Sequence, residues 1–288
     1  MNDKTVIIIG SGPAGVSASL YTKRAGIRTI VISKSSGALE KAHWVNNYYG
    51  FPNPISGQDL LKNGVEQASL LGVEFVKAEV FDVSYNGNYT VSTDGGVFNA
   101  DGVIIAMGTS RKAPLIKGIT EFEGRGVSYC AVCDAFFFRG KNVAVLGNSE
   151  YAKHEAAELI PLASSVTVLT DGSQPETDFS VPVITDKIVE ICGNDKVDSI
   201  AFESGKTLVT DGLFVACGTA GSSDIARKLG IAVENGKIIT DNNMSCGFPG
   251  IYAAGDCTGG LLQISKAVYE GALAGTEMIK YIRSIRKD

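Results

Sequence analysis

The apolar run Val6-Ile7-Ile8-Ile9 feeds without a break into Gly10-Ser11-Gly12-Pro13-Ala14-Gly15 and then into a helical pattern over 16 to 24. Strand, tight glycine turn and helix in this order restrict the start of the chain to a dinucleotide-binding βαβ unit. Gly10 makes the turn, Gly12 clears the backbone's approach to a pyrophosphate, and Gly15 permits close packing of helix on strand. The phosphates are held on the helix N-terminus, so Gly10, Gly12, Pro13, Ala14 and Gly15 are candidate cofactor-binding residues. The next strand, 29 to 33, ends without the acidic residue that usually binds a ribose. The motif alone therefore leaves the dinucleotide unnamed.

A second constraint is chemical. The run Cys130-Ala131-Val132-Cys133-Asp134 places two thiols one helical turn apart beside a carboxylate. Such a pair closes a disulfide without backbone movement and passes two electrons by thiolate exchange. A zinc site and a purely structural pair are the alternatives. Cys192, Cys217, Cys246 and Cys257 are isolated, and neither His43 nor His154 stands at ligand spacing, so no metal is expected.

Near the C-terminus, Gly250-Ile251-Tyr252-Ala253-Ala254-Gly255-Asp256-Cys257 reads as a short strand ending in a Gly-Asp pair, with a helix over 262 to 282. This arrangement can aim the Asp256 carboxylate at a flavin ribityl hydroxyl while the helix directs its N-terminal amides at the ring. With GSGPAG at 10 to 15, Asn46-Asn47-Tyr48-Tyr49-Gly50-Phe51-Pro52, GVSYCAVCDAFFFRGKNVAVLG at 126 to 147 and GIYAAGDC at 250 to 257, the chain resembles the low-molecular-weight thioredoxin reductases from end to end. The resemblance implies bound FAD, a thioredoxin substrate and a homodimer. It adds Asn47, Gly108, Gly255, Asp256, Gln263 and Ile264 to the cofactor-binding candidates. The family's Arg-Gln pair before the last helix stands here as Leu262-Gln263, so only Gln263 is carried over.

A length of 288 residues suffices for two domains with real cores, and 34 glycines with 44% hydrophobic residues suit glycine-punctuated α/β units. The expected fold is α/β, with two Rossmann-like (FAD/NAD(P)-type) nucleotide-binding domains, the second inserted in the first. Residues 1–112 and 219–288 form the FAD-binding domain, and 113–218 a central domain with the CxxC and a degenerate pyridine-nucleotide site. Phe214-Val215-Ala216-Cys217-Gly218-Thr219 echoes Ile104-Ile105-Ala106-Met107-Gly108-Thr109, as a duplicated architecture requires. No apolar run reaches the 18 or so residues that cross a bilayer, and the first residues enter a core strand directly, so a cytoplasmic protein is expected. A net charge of −5 without Lys/Arg runs argues against nucleic-acid binding.

The central domain departs from the family where NADPH would bind. Gly147-Asn148-Ser149-Glu150-Tyr151-Ala152 keeps the first glycine but sets Ser149 where the second belongs, and Glu150 adds like charge beside a pyrophosphate. After the strand 166 to 169 comes Thr170-Asp171-Gly172-Ser173, with no arginine for a 2′-phosphate. NADPH is therefore expected to be excluded. Asp171 lies where a dehydrogenase binds the ribose of NAD, which keeps an NADH-dependent thioredoxin reductase as the alternative; the other reading is a solvated turn former.

Within the family, loss of the NADPH motifs resembles the ferredoxin-dependent flavin thioredoxin reductases. A plant-type iron–sulfur donor near −400 mV reducing a thioredoxin near −270 mV releases about 6 kcal/mol for two electrons. Flavin suits the conversion, because it accepts electrons singly and delivers a pair. The family's CxxCD motif implies that Cys133 is the flavin-proximal sulfur, Cys130 the sulfur that attacks thioredoxin, and Asp134 the acid or base for the thiol proton, with helix capping as the alternative for Asp134. A domain rotation is implied, with hinges near 111 to 114 and 217 to 221. Lys23, Arg24, Arg111, Lys112, Arg139 and Lys141 are candidates for a basic ferredoxin-docking patch, scattered surface charge being the alternative. Trp44 and Tyr48 to Phe51 either wall the flavin or pack the core, and the four remaining cysteines read as core or loop thiols. A non-catalytic flavin sensor and an oxygen-using dithiol oxidase are readings of another kind on the same framework.

Overall fold

A computed structural model describes residues 4–35, 37–108, 114–218 and 220–285. The chain divides into two compact units, Met1–Ser110 with Gly221–Asp288, and Arg111–Ala220. In the first unit a five-stranded parallel sheet has the order Ile251–Ala253, Gly102–Ile105, Thr5–Ile9, Arg28–Ser33, Glu74–Lys77. Every residue of Thr5–Ile9 and Gly102–Ile105 is buried, because helices and loops cover both faces and a parallel strand has no solvent side to alternate with. An antiparallel meander, Val80–Tyr85, Tyr89–Thr93 and Gly96–Ala100, leads into the strand beside the first.

The helix Pro13–Arg24 leaves the first strand through the glycine turn, with Pro13 filling a position whose N–H the helix does not use. It packs against Ile264–Ser284, and small residues set how closely. A Cβ on Gly271 would lie 2.1 Å from the Ala14 carbonyl oxygen, and one on Gly275 2.8 Å from that of Ala18. Ala14, Ala18, Ala267, Ala274 and Met278 share one core cluster there. This close approach brings the start of the last helix to the glycine turn. The helix begins at Ile264 rather than 262, because Leu261 and Leu262 are exposed and Gln263 is extended at its N-cap.

The second unit repeats the design. Its parallel sheet runs Val183–Ile184, Ser165–Leu169, Asn142–Leu146, Gly212–Val215, Val127–Ser128. Read outward from the glycine-turn strand, the two sheets have the same order, and the fifth place goes to the returning C-terminal strand in one and the entering strand in the other. Equivalent atoms make equivalent bonds: Gly10 N–H donates to Ile32 O and Gly147 N–H to Leu169 O, while Ala106 N–H reaches Ile9 O and Ala216 N–H reaches Leu146 O. The echo between the segments starting at Ile104 and Phe214 is thus a true structural repeat. A meander of Ile188–Gly193, Val197–Phe202 and Thr207–Val209 completes the unit.

Of the expected hinge segments, residues 111–113 and Thr219 lie outside the described residues, as do Arg111 and Lys112 of the basic-patch candidates. Among the described residues no helix is long and apolar enough to cross a membrane. Nor does any group of three or more His, Cys, Asp or Glu among them form a metal-binding cluster.

Candidate active site

The first unit gathers its candidate residues around the glycine turn. Gly10 has φ +113°, and a Cβ there would stand 2.2 Å from the Ala106 carbonyl oxygen, so strand crossing and backbone conformation both require glycine. Gly12 differs: nothing lies within 4 Å of its would-be Cβ, which leaves open space where a pyrophosphate approaches. Gly255, at φ +88°, faces Ala14 at 2.9 Å in the same sense, so the Gly-Asp loop is carried up to the turn. Asn47 Nδ2 donates to Gln263 Oε1 at 3.1 Å, joining residues 216 apart at the start of the last helix. The Asp256 carboxylate has no hydrogen bond among the described residues, whereas its backbone oxygen accepts Lys237 Nζ. Open space at Gly12, an unengaged carboxylate and an amide pair at a helix start fit FAD.

Two residues that the sequence did not single out fix this loop. The buried Glu270 carboxylate accepts Gly255 N–H at 2.8 Å and Thr258 Oγ1 at 2.9 Å, and Lys266 Nζ pairs with it at 2.9 Å while also donating to the Gly255 and Gly259 carbonyls. Their i,i+4 spacing on the last helix was the available signal, but an exposed surface pair gives the same spacing. Ser33 stands at the strand end where an acid was missing, and its hydroxyl donates to Ser11 Oγ at 2.8 Å. Trp44 and Tyr49 are 73% and 97% exposed, which removes the core-packing reading for both.

In the second unit Cys130 and Cys133 are joined as a disulfide. Cys130 caps the short helix Ala131–Asp134 and is buried, whereas Cys133 is exposed. Cys133 N–H donates to Cys130 Sγ at 3.2 Å, which favours a thiolate on Cys130 once the bond opens. Ser128 links the pair to its carboxylate: the hydroxyl donates to Asp134 Oδ2 at 2.6 Å and accepts Cys130 N–H at 3.1 Å. Asp134 ends the short helix and stands at the N-cap of the 3₁₀ turn Ala135–Phe138, but its side chain makes no capping hydrogen bond there; the carboxylate is held by Ser128 instead. Phe136 and Phe137 follow, each 68% exposed, with the Arg139 guanidinium 5.4 Å from the Phe136 ring centre. Lys141 lies similarly over Phe138, while Lys23 and Arg24 end a helix of the other unit.

The second glycine turn is closed where the first is open. Ser149 is almost wholly buried, and its Oγ donates to the Gly218 carbonyl oxygen at 2.5 Å. The segment 174 to 177 is fastened to the same turn. Glu176 N–H donates to Asn148 O at 2.8 Å, Asn148 Nδ2 to Gln174 O at 3.2 Å, and the Thr177 hydroxyl to Glu150 Oε1. Glu150 also pairs with Lys153 at 3.5 Å. Asp171 has φ +50° and its Oδ1 accepts Ile188 N–H at 2.8 Å. It forms a turn, as one reading expected, but a tied one rather than a solvated one.

Burial pushes the thiols of Cys246 and Cys257 up to about 12 each, whereas Cys192 and Cys217 are partly exposed. At pH 8 in the oxidised protein an aromatic disulfide reagent is expected to modify Cys192 and Cys217, leaving Cys246 and Cys257 untouched until unfolding. Peptide mapping of the labelled sites checks this. Because the folded values lie above the unfolded ones, the stability that these thiols contribute is full below about pH 8.5 and declines as pH rises toward 12.

Two nucleotide-binding folds, the second inserted in the first and bearing a CxxC disulfide, define a flavin-linked disulfide oxidoreductase. Residues 4–271 match the family described as pyridine nucleotide-disulphide oxidoreductase. The thioredoxin reductase of Aquifex aeolicus (strain VF5) is 37% identical over 274 residues, covering 87% of this chain and 84% of that protein. The crystal structure of the atypical thioredoxin reductase TRi from Desulfovibrio vulgaris Hildenborough superposes with a TM-score of 0.93 at 36% identity, over 98% of each chain. A ferredoxin-flavin thioredoxin reductase from Clostridium acetobutylicum gives a TM-score of 0.71 at 34% identity, over 97% of this chain and 98% of that one. The chain belongs to the pyridine nucleotide-disulphide oxidoreductases and, within them, to the FAD-binding thioredoxin reductases.

Proposed function

We propose that this protein reduces thioredoxin with electrons from reduced ferredoxin, independently of nicotinamide nucleotides. The observation that carries the proposal is the closed second turn. Ser149 bonded to Gly218 and the segment 174 to 177 fastened over Asn148 and Glu150 fill the ground that a pyrophosphate needs. The NADH alternative rested on Asp171, and one oxygen of that carboxylate is committed to the Ile188 amide. The likeness to a protein named as a ferredoxin-flavin thioredoxin reductase supports the same donor class.

FAD would be held by Gly10, Gly12, Pro13, Ala14 and Gly15 at the turn, by Gly108, by Gly255 and Asp256, and by Asn47, Gln263 and Ile264; it supplies conversion of single electrons into a pair. The chain's own residues do the rest. In the dithiol form the Cys130 thiolate, supported by the Cys133 amide, attacks the thioredoxin disulfide and releases one thioredoxin thiolate. Cys133 then attacks Cys130 Sγ, releasing the second thioredoxin sulfur and closing the disulfide again. Asp134, held by Ser128 beside the Cys130 amide, carries the proton between these sulfurs. Exposed Phe136 and Phe137 offer an apolar face next to the disulfide for thioredoxin to cover.

Steady-state assays test the proposal. Chemically reduced ferredoxin is expected to drive repeated thioredoxin reduction, and the rate to fall as salt rises, since screening shortens to about 3 Å at 1 M. Turnover with NADPH but none with ferredoxin would refute it.

A further inference from the structure

Beneath the redox segment lies a carboxylate that the proposed electron path does not use. Glu155, on the helix Glu150–Leu159, is 1% exposed, and its Oε2 accepts the Ala131 N–H at 2.8 Å. Ala131 follows Cys130 directly and is itself fully buried, so the bond pins the peptide that carries the buried sulfur. Ionisable groups stand around this carboxylate on the same helix and on the redox segment, among them buried Tyr151 one turn before it. His154 on the same helix has Nδ1 3.9 Å from Glu155 Oε1, and Asp134 stands on the redox segment, tied through Ser128. The strands packed under the helix, Asn142–Leu146 and Ser165–Leu169, have no ionisable side chain.

Taking the Cys130–Cys133 disulfide as the redox pair, we infer that Glu155 is its positioning residue: the carboxylate clamps the Cys130–Ala131 peptide and sets negative charge behind Cys130, which keeps the pair strongly reducing. Reduction breaks the Sγ–Sγ bond and adds two electrons, with two protons taken up when both sulfurs end as thiols and one when a thiolate remains. The Cys133 N–H directed at Cys130 Sγ favours that thiolate, and a carboxylate held on the adjoining Ala131 amide opposes it. A dithiol form stabilised as thiolate makes a pair more oxidising. Charge at Glu155 therefore acts in the direction that a donor to thioredoxin requires.

Glu155→Gln keeps an acceptor for the Ala131 amide and removes the charge. Holoenzyme equilibrated with dithiothreitol buffers, quenched by alkylation and read by mass, is expected to show the variant's equilibrium shifted about tenfold toward the dithiol, roughly 30 mV. Iodoacetamide should also alkylate Cys130 of the reduced variant at lower pH than in the parent. Glu155→Asp, which keeps the charge, is expected to restore the parent equilibrium and pH profile. An unchanged equilibrium and alkylation profile in the glutamine variant would overturn the inference. Where that variant fails to fold, hydrogen exchange in the parent decides. Slow exchange of the Ala131 amide in both redox states supports the clamp, and exchange as fast as at exposed Val132 overturns it. A parent disulfide that no buffer can reduce would instead remove the redox pair, and this inference with it.

Discussion

Cys130→Ser and Cys133→Ser are each expected to lower thioredoxin reduction by about a thousandfold or more while leaving FAD bound and the fold intact. The effect is large because the two sulfurs form one relay: either hydroxyl leaves a nucleophile without a disulfide partner, and no other thiol among the described residues lies at CxxC spacing. Stability is expected to change little, since the disulfide encloses only two residues and restricts a very short loop of the unfolded chain. Flavin absorbance separates the roles. With Cys130 replaced, the remaining Cys133 thiolate is expected to give a long-wavelength charge-transfer band; with Cys133 replaced, no band. A band that depends on Cys130 reverses the assignment. In the structure Cys130 is the buried sulfur and Cys133 the exposed one, so attack by Cys130 on a protein disulfide requires the segment to open.

The second large effect is a missing reaction. NADPH or NADH at about millimolar concentration is expected to leave the flavin oxidised under anaerobic conditions, and Ser149→Gly alone is not expected to restore reduction. Removing the Ser149 side chain frees one point of the turn, but Glu176 and Gln174 remain bonded to Asn148, and Glu150 still presents a carboxylate at the helix start. An anion brought there meets repulsion where an ordinary dinucleotide site offers free amides and an open glycine. A Ser149→Gly variant that becomes readily reducible by NADPH would show that the serine alone is the obstacle and that the 174 to 177 segment moves aside.

The parts of this molecule that follow from local chemistry were legible in the sequence. The strand, glycine turn and helix at Gly10–Gly15 form as expected, because Gly10 needs both φ +113° and the absence of a side chain against Ala106. The duplicated sheet was visible in the resemblance between the segments at Ile104 and Phe214, which occupy equivalent places beside the two turns. Ser149 was identifiable as an obstruction, since a side chain replaces a glycine at a known position. What it bonds to was not, because Gly218 is 69 residues away. The same applies to Glu155 on Ala131, to Glu270 on Gly255 and to the segment fastened over Asn148: each joins elements whose meeting the topology decides, and no periodicity marks them. Trp44 and Tyr49 show the converse, large aromatic side chains for which core packing was one of two readings and which the fold leaves outside.

Donor choice is decided most directly by anaerobic rapid mixing of the oxidised holoenzyme with reduced ferredoxin, NADPH or NADH in turn, following flavin absorbance. Reduced ferredoxin is expected to bleach the flavin within one catalytic turnover, more slowly as salt is raised, while neither nicotinamide changes the spectrum on that timescale. Rapid bleaching by NADPH or NADH, with no response to ferredoxin, would contradict the closed second site as the basis of donor choice.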